Sequence, residues 1–503
     1  MKNSNIGNLI SNYVSKLWSL ISVFIFIPFY IKYLGVESFA VIGFYTLILG
    51  VISFADAGMS SAVIREFSSG KKAIIKYSFL ILIERIYISI CFFITIVIII
   101  FSKLIANNWL KSETIPIDDL VFYIQLIGIG VPIQLLSSLY FGALFGLNNQ
   151  IRANYIQIIW NVFKSGIVIV FFIFFGSSLK LFFLWQIGCN FIYVLTLRYN
   201  TIYLLKKNAQ ELVLVFNKIP QDILKYIGSM TLVAIISSIN IQADKIITSS
   251  YFDLKIFGYY TIASTLAQLP VIMASPLVMS VFPLFSKFCE AEKQTFFNIS
   301  FQKASFLLSI VVFPVTIILF LYSPEIILLW TGYAIEKVWL TQIHLVIKFL
   351  VVGSLFLALQ LIPFYVLLSK GRTKYTVYQG IVQVLLGVPL LFFFVSKLGL
   401  IGAGIPWVVI NFGALLYLYS VVFKYLDGIN VFLFLKKNIL YPLIISVIVI
   451  YLFYFIYIQF KLSFYYYVIL SGLISIIINV CVFNYMSNCS FFNIKTIFNF
   501  SNE

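Results

Sequence analysis

Apolar runs long enough to cross a membrane recur from one end of this chain to the other, and little is left between them. An α-helix rises about 1.5 Å per residue, so a span needs roughly 20 consecutive apolar residues. Such runs occupy approximately 13–34, 39–64, 77–101, 120–146, 153–176, 179–197 and 226–250. They continue at 257–285, 304–330, 340–368, 375–396, 400–423, 438–459 and 464–487, so fourteen helices are expected. Of 503 residues, 62% are hydrophobic and 10% charged, against about 25% charged in soluble domains. The fold class is an all-α polytopic membrane protein. Ile6, Leu9, Ile10 and Tyr13 fall at helical spacing among Asn and Ser and read as a short amphipathic lead-in at the interface. Pro270, Pro276 and Pro283 predict a kinked eighth helix.

The cations then orient the chain. About 21 Lys and Arg fall on one set of alternating loops, among them Lys71, Lys72, Lys76, Lys206, Lys207, Lys370, Arg372, Lys374 and Lys424, against about 8 on the other set. This positive-inside bias predicts two cytoplasmic termini. It also accounts for the net charge of +17, with attraction to anionic lipid head groups as a second contribution. No basic block or soluble domain exists to present that charge to nucleic acid. Cys91, Cys189, Cys289, Cys481 and Cys489 have no CxxC spacing and read as structural thiols, and the lone His344 makes no metal site. No cofactor is expected. No outer loop exceeds about 20 residues and no Walker motif is present, so neither an extramembrane catalytic site nor ATP-driven transport is expected.

Ionisable residues inside spans are costly and mark function or packing. Here they are Lys16, Asp56, Glu84, Arg85, Lys164, Asp244, Lys245 and Lys348. Lys16, Asp56, Glu84 and Arg85 share the cytoplasmic third, where Asp56 could pair with Arg85 or Lys16, or Lys16 could simply snorkel. Lys164 lies near the middle of span five, out of snorkelling reach. Hydrocarbon there would cost about 3 kcal/mol on insertion scales, so it needs a polar cavity or partner. Asp244 and Lys245 sit in the polar run INIQADK, either as interhelical hydrogen-bonding groups or as a cavity wall with Asp244 carrying a proton or ion. Lys16, Arg85, Lys164, Lys245 and Lys348 outnumber Asp56, Glu84 and Asp244. That surplus suits an anionic cargo and is the wrong sign for cationic drugs.

Phe54–Phe67, FADAGMSSAVIREF, places Asp56 and Gly58 near the inner end of the second span with Arg65 at its exit. This Asp-x-Gly-x-x-x-x-x-x-Arg pattern, with LGVESFAVIGFY, ADKIITSSYF and FGYYTIA, resembles polysaccharide transporters of the multidrug/oligosaccharidyl-lipid/polysaccharide exporter superfamily, most closely the Wzx-type O-antigen flippases. An internal repeat accompanies it. YLGVESFA at Tyr33 aligns with YFDLKIFG at Tyr251, and Arg152-x-x-x-x-Gln157 with Lys374-x-x-x-x-Gln379, at an offset of about 220 residues. Six helices separate the copies, so they share one orientation.

The resemblance implies two pseudo-symmetric six-helix bundles around a central cavity, at 1–210 and 211–425, with two extra helices and a short tail at 426–503. It implies alternating access driven by an ion gradient, with undecaprenyl-pyrophosphate-linked oligosaccharide as cargo in the bacterial inner membrane. Lys164, Arg85, Lys16, Lys245 and Lys348 would be the cavity cations that bind substrate, and Asp244, or else Asp56, would couple the ion. Membrane lipids, a polysaccharide polymerase and a chain-length regulator are the expected partners of a monomer. A peptidoglycan-precursor flippase, a drug exporter of the same superfamily, or a membrane polysaccharide polymerase are the competing readings. The missing long outer loop argues against the polymerase.

Overall fold

The computed structural model describes residues 2–207, 221–290, 294–460 and 464–487. They form helices and short connections, with no strand among the described residues. Thirteen helices there are long and apolar enough to cross a membrane. The shorter apolar α2 (Val36–Ile52), continued by α3 (Phe54–Ser68), stands where the second of the fourteen expected crossings falls. The protein is a multi-pass membrane protein.

α1 (Lys2–Leu34) absorbs the expected lead-in into one continuous helix. After α2 and α3 come α4 (Ala73–Asn108), α5 (Ile117–Gly146), α6 (Gln150–Asn161), α7 (Val168–Phe175), α8 (Leu179–Lys207) and α9 (Gln221–Tyr251). A π-helical turn, Val162–Ile167, joins α6 to α7 inside one crossing. The eighth crossing is interrupted between α10 (Leu254–Ala267) and α11 (Leu269–Glu290), with Pro276 and Pro283 inside α11. There follow α12 (Gln294–Trp330), α13 (Lys337–Ser369), α14 (Thr373–Leu398), α15 (Ile405–Phe423), α16 (Val431–Leu435), α17 (Tyr441–Phe460) and α18 (Phe464–Ser487). The turn Gly399–Ala403 between α14 and α15 is 3-10 helical.

By internal packing the chain divides into two units, residues 1–261 with Leu328–Glu336, and residues 262–327 with 337–503. The bundle boundary expected at residue 210, like Cys489 and the C-terminal tail, lies outside the described residues.

Lipid tails are as apolar as leucine, so helices here associate through close packing and polar contacts. In the first unit α5 carries Gly142 and Gly146 one turn apart, where they admit α3. An added Cβ on Gly142 would lie 3.3 Å from the Ser60 carbonyl oxygen, and one on Gly146 would lie 2.5 Å from Phe67 Cβ. Met59, Val63, Phe67, Phe79, Ile83, Tyr87, Leu139 and Leu197 bury themselves around that contact. α1 and α6 are laced by a polar ladder: Asn12 donates to Gln150 (2.7 Å), Ser15 to Gln157 (2.8 Å) and Asn161 to Ser19 (2.8 Å). In the second unit Phe285, Phe301, Val312, Tyr322, Leu359, Val366, Leu418 and Ile450 form the core, gathered from α11, α12, α13, α15 and α17.

Candidate functional site

The mid-membrane lysine has company. Lys164 Nζ donates to Gln134 Oε1 at 3.0 Å and lies 4.6 Å from the Trp160 ring centroid and 5.7 Å from that of Tyr45. Gln134 also accepts the Tyr45 hydroxyl (2.6 Å) and Asn190 Nδ2 (3.4 Å). Trp160 stacks on Tyr193 with centroids 4.4 Å apart. Four crossings of one unit therefore converge on this cation through α2, α5, the α6–π turn and α8.

The π turn that holds Lys164 is supported from outside the helix. A wider turn leaves carbonyls less regularly paired, and three are taken by neighbours: Phe163 O by Trp185 Nε1 (3.0 Å), Lys164 O by Gln186 Nε2 (3.2 Å) and Ser165 O by the Tyr30 hydroxyl (2.9 Å). Among the described residues Lys164 forms no ion pair. Its ammonium is met by an amide oxygen and aromatic faces. Cation–π contacts of this kind contribute about 0.5–2 kcal/mol.

The two acids named as ion-coupling candidates are each held by a tyrosine. The Tyr87 hydroxyl donates to Asp56, whose surroundings also include the hydroxyls of Ser60 and Ser138. The Tyr260 hydroxyl donates to Asp244 Oδ2 at 2.6 Å, and the Lys245 backbone N–H donates to Oδ1 at 2.8 Å. Hydroxyl partners can both donate and accept, so either acid could gain a proton without a salt bridge being broken. Asp56 thus meets Tyr87, not Arg85 or Lys16. Arg85 and Lys16 are exposed, and Glu84 pairs with Arg198 at 3.1 Å. Lys245 is half-buried. Lys348, in the second unit, is half-buried with its ammonium 4.9 Å from the Phe320 centroid, and His344 one turn earlier hydrogen-bonds Ser323 at 2.5 Å.

The Asp56–Gly58 stretch has a packing role as well. The second crossing breaks at Ser53, whose hydroxyl takes the Gly50 carbonyl at 2.6 Å. Such back-bonding competes with the helix ladder. Gly50 and Gly58 on either side of the break face α9, and a Cβ at Gly58 would collide with the Ile227 carbonyl oxygen. Ser238 closes the seam by donating to Gly50 O at 2.8 Å. Glu37, in the LGVESF motif, accepts the Ser112 hydroxyl (2.5 Å) and the Glu113 N–H (2.9 Å), which ties down the connection between α4 and α5.

A matching amide pair stands in the second unit. Gln360 of α13 donates to Asn411 O of α15 at 2.8 Å, as Asn190 of α8 meets Gln134 of α5. They stand on corresponding crossings of the two repeats, though Gln134 and Gln360 are 226 residues apart and so not in register with the repeat offset of about 220. The cation is not repeated: Lys164 lies seven residues after Gln157, and the residue seven after Gln379 is Leu386. Sequence reasoning singled out the charges and missed the residues that receive them, Gln134, Asn190, Trp160, Tyr87 and Tyr260. The available signal was an isolated amide within an apolar helix.

The family profile described as "Polysaccharide biosynthesis protein" matches residues 32–340. The chain belongs to this family. A Shigella flexneri protein named "Putative O-antigen transporter" is 27% identical over 409 residues, covering 78% of this chain and 93% of that protein. In fold, the chain resembles "Lipid II flippase MurJ, inward closed conformation", with a TM-score of 0.73 and 19% identity over 96% of this chain and 100% of that one. It also resembles an inward-facing multidrug transporter of the MATE family, with a TM-score of 0.66 and 16% identity over 82% and 95% of the two chains. The polysaccharide biosynthesis protein therefore shares its fold with these two transporters, in agreement with the Wzx-type resemblance carried by its motifs.

Proposed function

We propose that this polysaccharide transporter is a flippase that carries undecaprenyl-pyrophosphate-linked O-antigen or related repeat units from the inner to the outer leaflet of the bacterial inner membrane. The observation that carries this reading is Lys164. A cation at mid-membrane, met by an amide and aromatic rings but by no acid among the described residues, is a receptor for a negative group. The pyrophosphate bears that charge, the sugars occupy the aqueous cavity, and the polyprenyl tail stays in lipid. Arg85, Lys16, Lys245 and Lys348 are further cavity cations in this proposal. The printed role of the Shigella flexneri relative, O-antigen transport, supports the cargo class.

Transport proceeds by alternating access of the two bundles, 1–210 and 211–425, with both termini in the cytoplasm. Asp244 couples it to the proton gradient. Its tyrosine partner supports that role, because the Tyr260 hydroxyl can stay hydrogen-bonded to the acid in either protonation state. Asp56 is the second candidate for the same reason.

The test is a surface-polysaccharide ladder in cells that lack their own flippase but carry the matching sugar-assembly genes. This gene should restore the ladder. Lys164→Ala should abolish it while the protein remains inserted at the wild-type level. Wild-type flux from that variant would remove Lys164 from the mechanism.

A further inference from the structure

The second unit carries an apolar groove where the first unit carries Lys164. It lies between α14 and α15, encloses about 310 Å³, and is walled by Val382, Leu386 and Leu390 on one side and Val409 and Ile410 on the other. Gly413 leaves a gap in its wall. A Cβ added there would meet nothing within 4 Å. Leu386 and Val409 are 57% and 50% exposed, so the groove opens on the surface of the helices and not into the core. A groove of this size and lining fits an alkyl chain.

One end of the groove has a different chemistry. Tyr378 and Tyr417 approach each other there with centroids 6.2 Å apart. One turn further out, the Tyr375 and Tyr425 hydroxyls hydrogen-bond at 2.9 Å, joining the start of α14 to the chain just after α15. Beyond them come three exposed cations, Arg372, Lys374 and Lys424. Arg372 lies 5.2 Å from the Tyr425 centroid, and Lys374 lies 5.2 Å from that of Tyr375. None of the three is in an ion pair among the described residues. Tyrosines of this kind sit at head-group level in membranes, and basic pockets between helices hold anionic head groups. An apolar slot that ends in a tyrosine band and then in unneutralised cations has the polarity of one lipid standing upright in a leaflet.

We propose that the α14–α15 groove binds an anionic glycerophospholipid of the surrounding bilayer, with an acyl chain along Leu386 and Gly413 and its phosphate against Arg372, Lys374 and Lys424. The site is separate from Lys164 in sequence and residue type, and the proposal does not depend on the cargo. The lipid would pin the basic end of this helix pair at one leaflet.

The test uses the purified full-length protein in neutral detergent, titrated with phosphatidylglycerol or with phosphatidylcholine of the same chains, and read by native mass spectrometry. One phosphatidylglycerol should be retained through a saturable site that phosphatidylcholine does not fill. Each of R372Q, K374Q and K424Q should weaken it about fivefold, the effect of one cation near an anionic head group. Gly413→Leu should abolish retention by filling the slot from within. Val409→Trp, at an exposed position, gives an independent block should the first variant fail to fold. Equal retention of the two lipids, or unchanged phosphatidylglycerol retention in the folded groove-filling variants, would overturn the proposal. Preferential displacement of phosphatidylglycerol by a polyprenyl phosphate would also overturn it, by assigning the groove to a carrier lipid.

Discussion

At the scale of single residues, a charge persists in a membrane helix only when something polar receives it. Lys164 was legible from the sequence because it lies near the middle of a span, out of snorkelling reach. Gln134 and Asn190 were not, because one amide in an apolar helix has no period and its partner is over fifty residues away. Gln134→Leu should keep the protein inserted but remove the acceptor that orients Lys164. A hydrogen bond to a charged group contributes about 1.5–3 kcal/mol, so transport should fall roughly ten- to hundredfold in a lipid-linked oligosaccharide flux assay. Asp244→Asn should leave residual transport that no longer responds to collapse of the proton gradient, measured in vesicles with and without a protonophore. Tyr260→Phe, which removes only the 2.6 Å hydrogen bond, should keep that response and shift the pH at which it operates. An unaltered response in Asp244→Asn would move the coupling role to Asp56.

At the scale of elements, the hydropathy pattern located the crossings but concealed their breaks. Ser53, the π turn at Val162–Ile167 and the interruption at Gln268 all fall inside runs that hydropathy reads as single crossings. Periodicity cannot report them, since they depend on what neighbouring helices offer the freed backbone groups. Two of the three lie beside candidate residues, Asp56 and Lys164. The prolines did announce a distorted eighth helix. The glycine of the Asp-x-Gly pattern reads as a functional signature in sequence, and in the fold it is also where α3 touches the backbone of α9. Gly58→Ala should therefore destabilise the protein by about 1–3 kcal/mol, as overpacking does. Gly188→Ala, where an added Cβ meets nothing within 4 Å, should be neutral or slightly stabilising, because alanine favours helix. Thermal melting of the two variants in detergent separates these outcomes. Equal melting temperatures would show that the α3–α9 contact has slack.

At the scale of the whole molecule, composition alone fixes the class, and the repeat at about 220 residues relates the crossings that carry a Gln–Asn contact in each unit. The repeat also exposes an asymmetry that no count of charges could place. One copy has a lysine in a polar clasp and the other has a leucine in a lipid-sized groove. Such a difference in lining fits the proposed carrier of a lipid-linked anion. The most direct test remains the surface-polysaccharide ladder in flippase-deficient cells supplied with this gene and its matching assembly genes. The account predicts a restored ladder with the wild-type chain and none with Lys164→Ala present in the membrane at equal level. A full ladder from the lysine variant would contradict the claim that cargo passes by this cation.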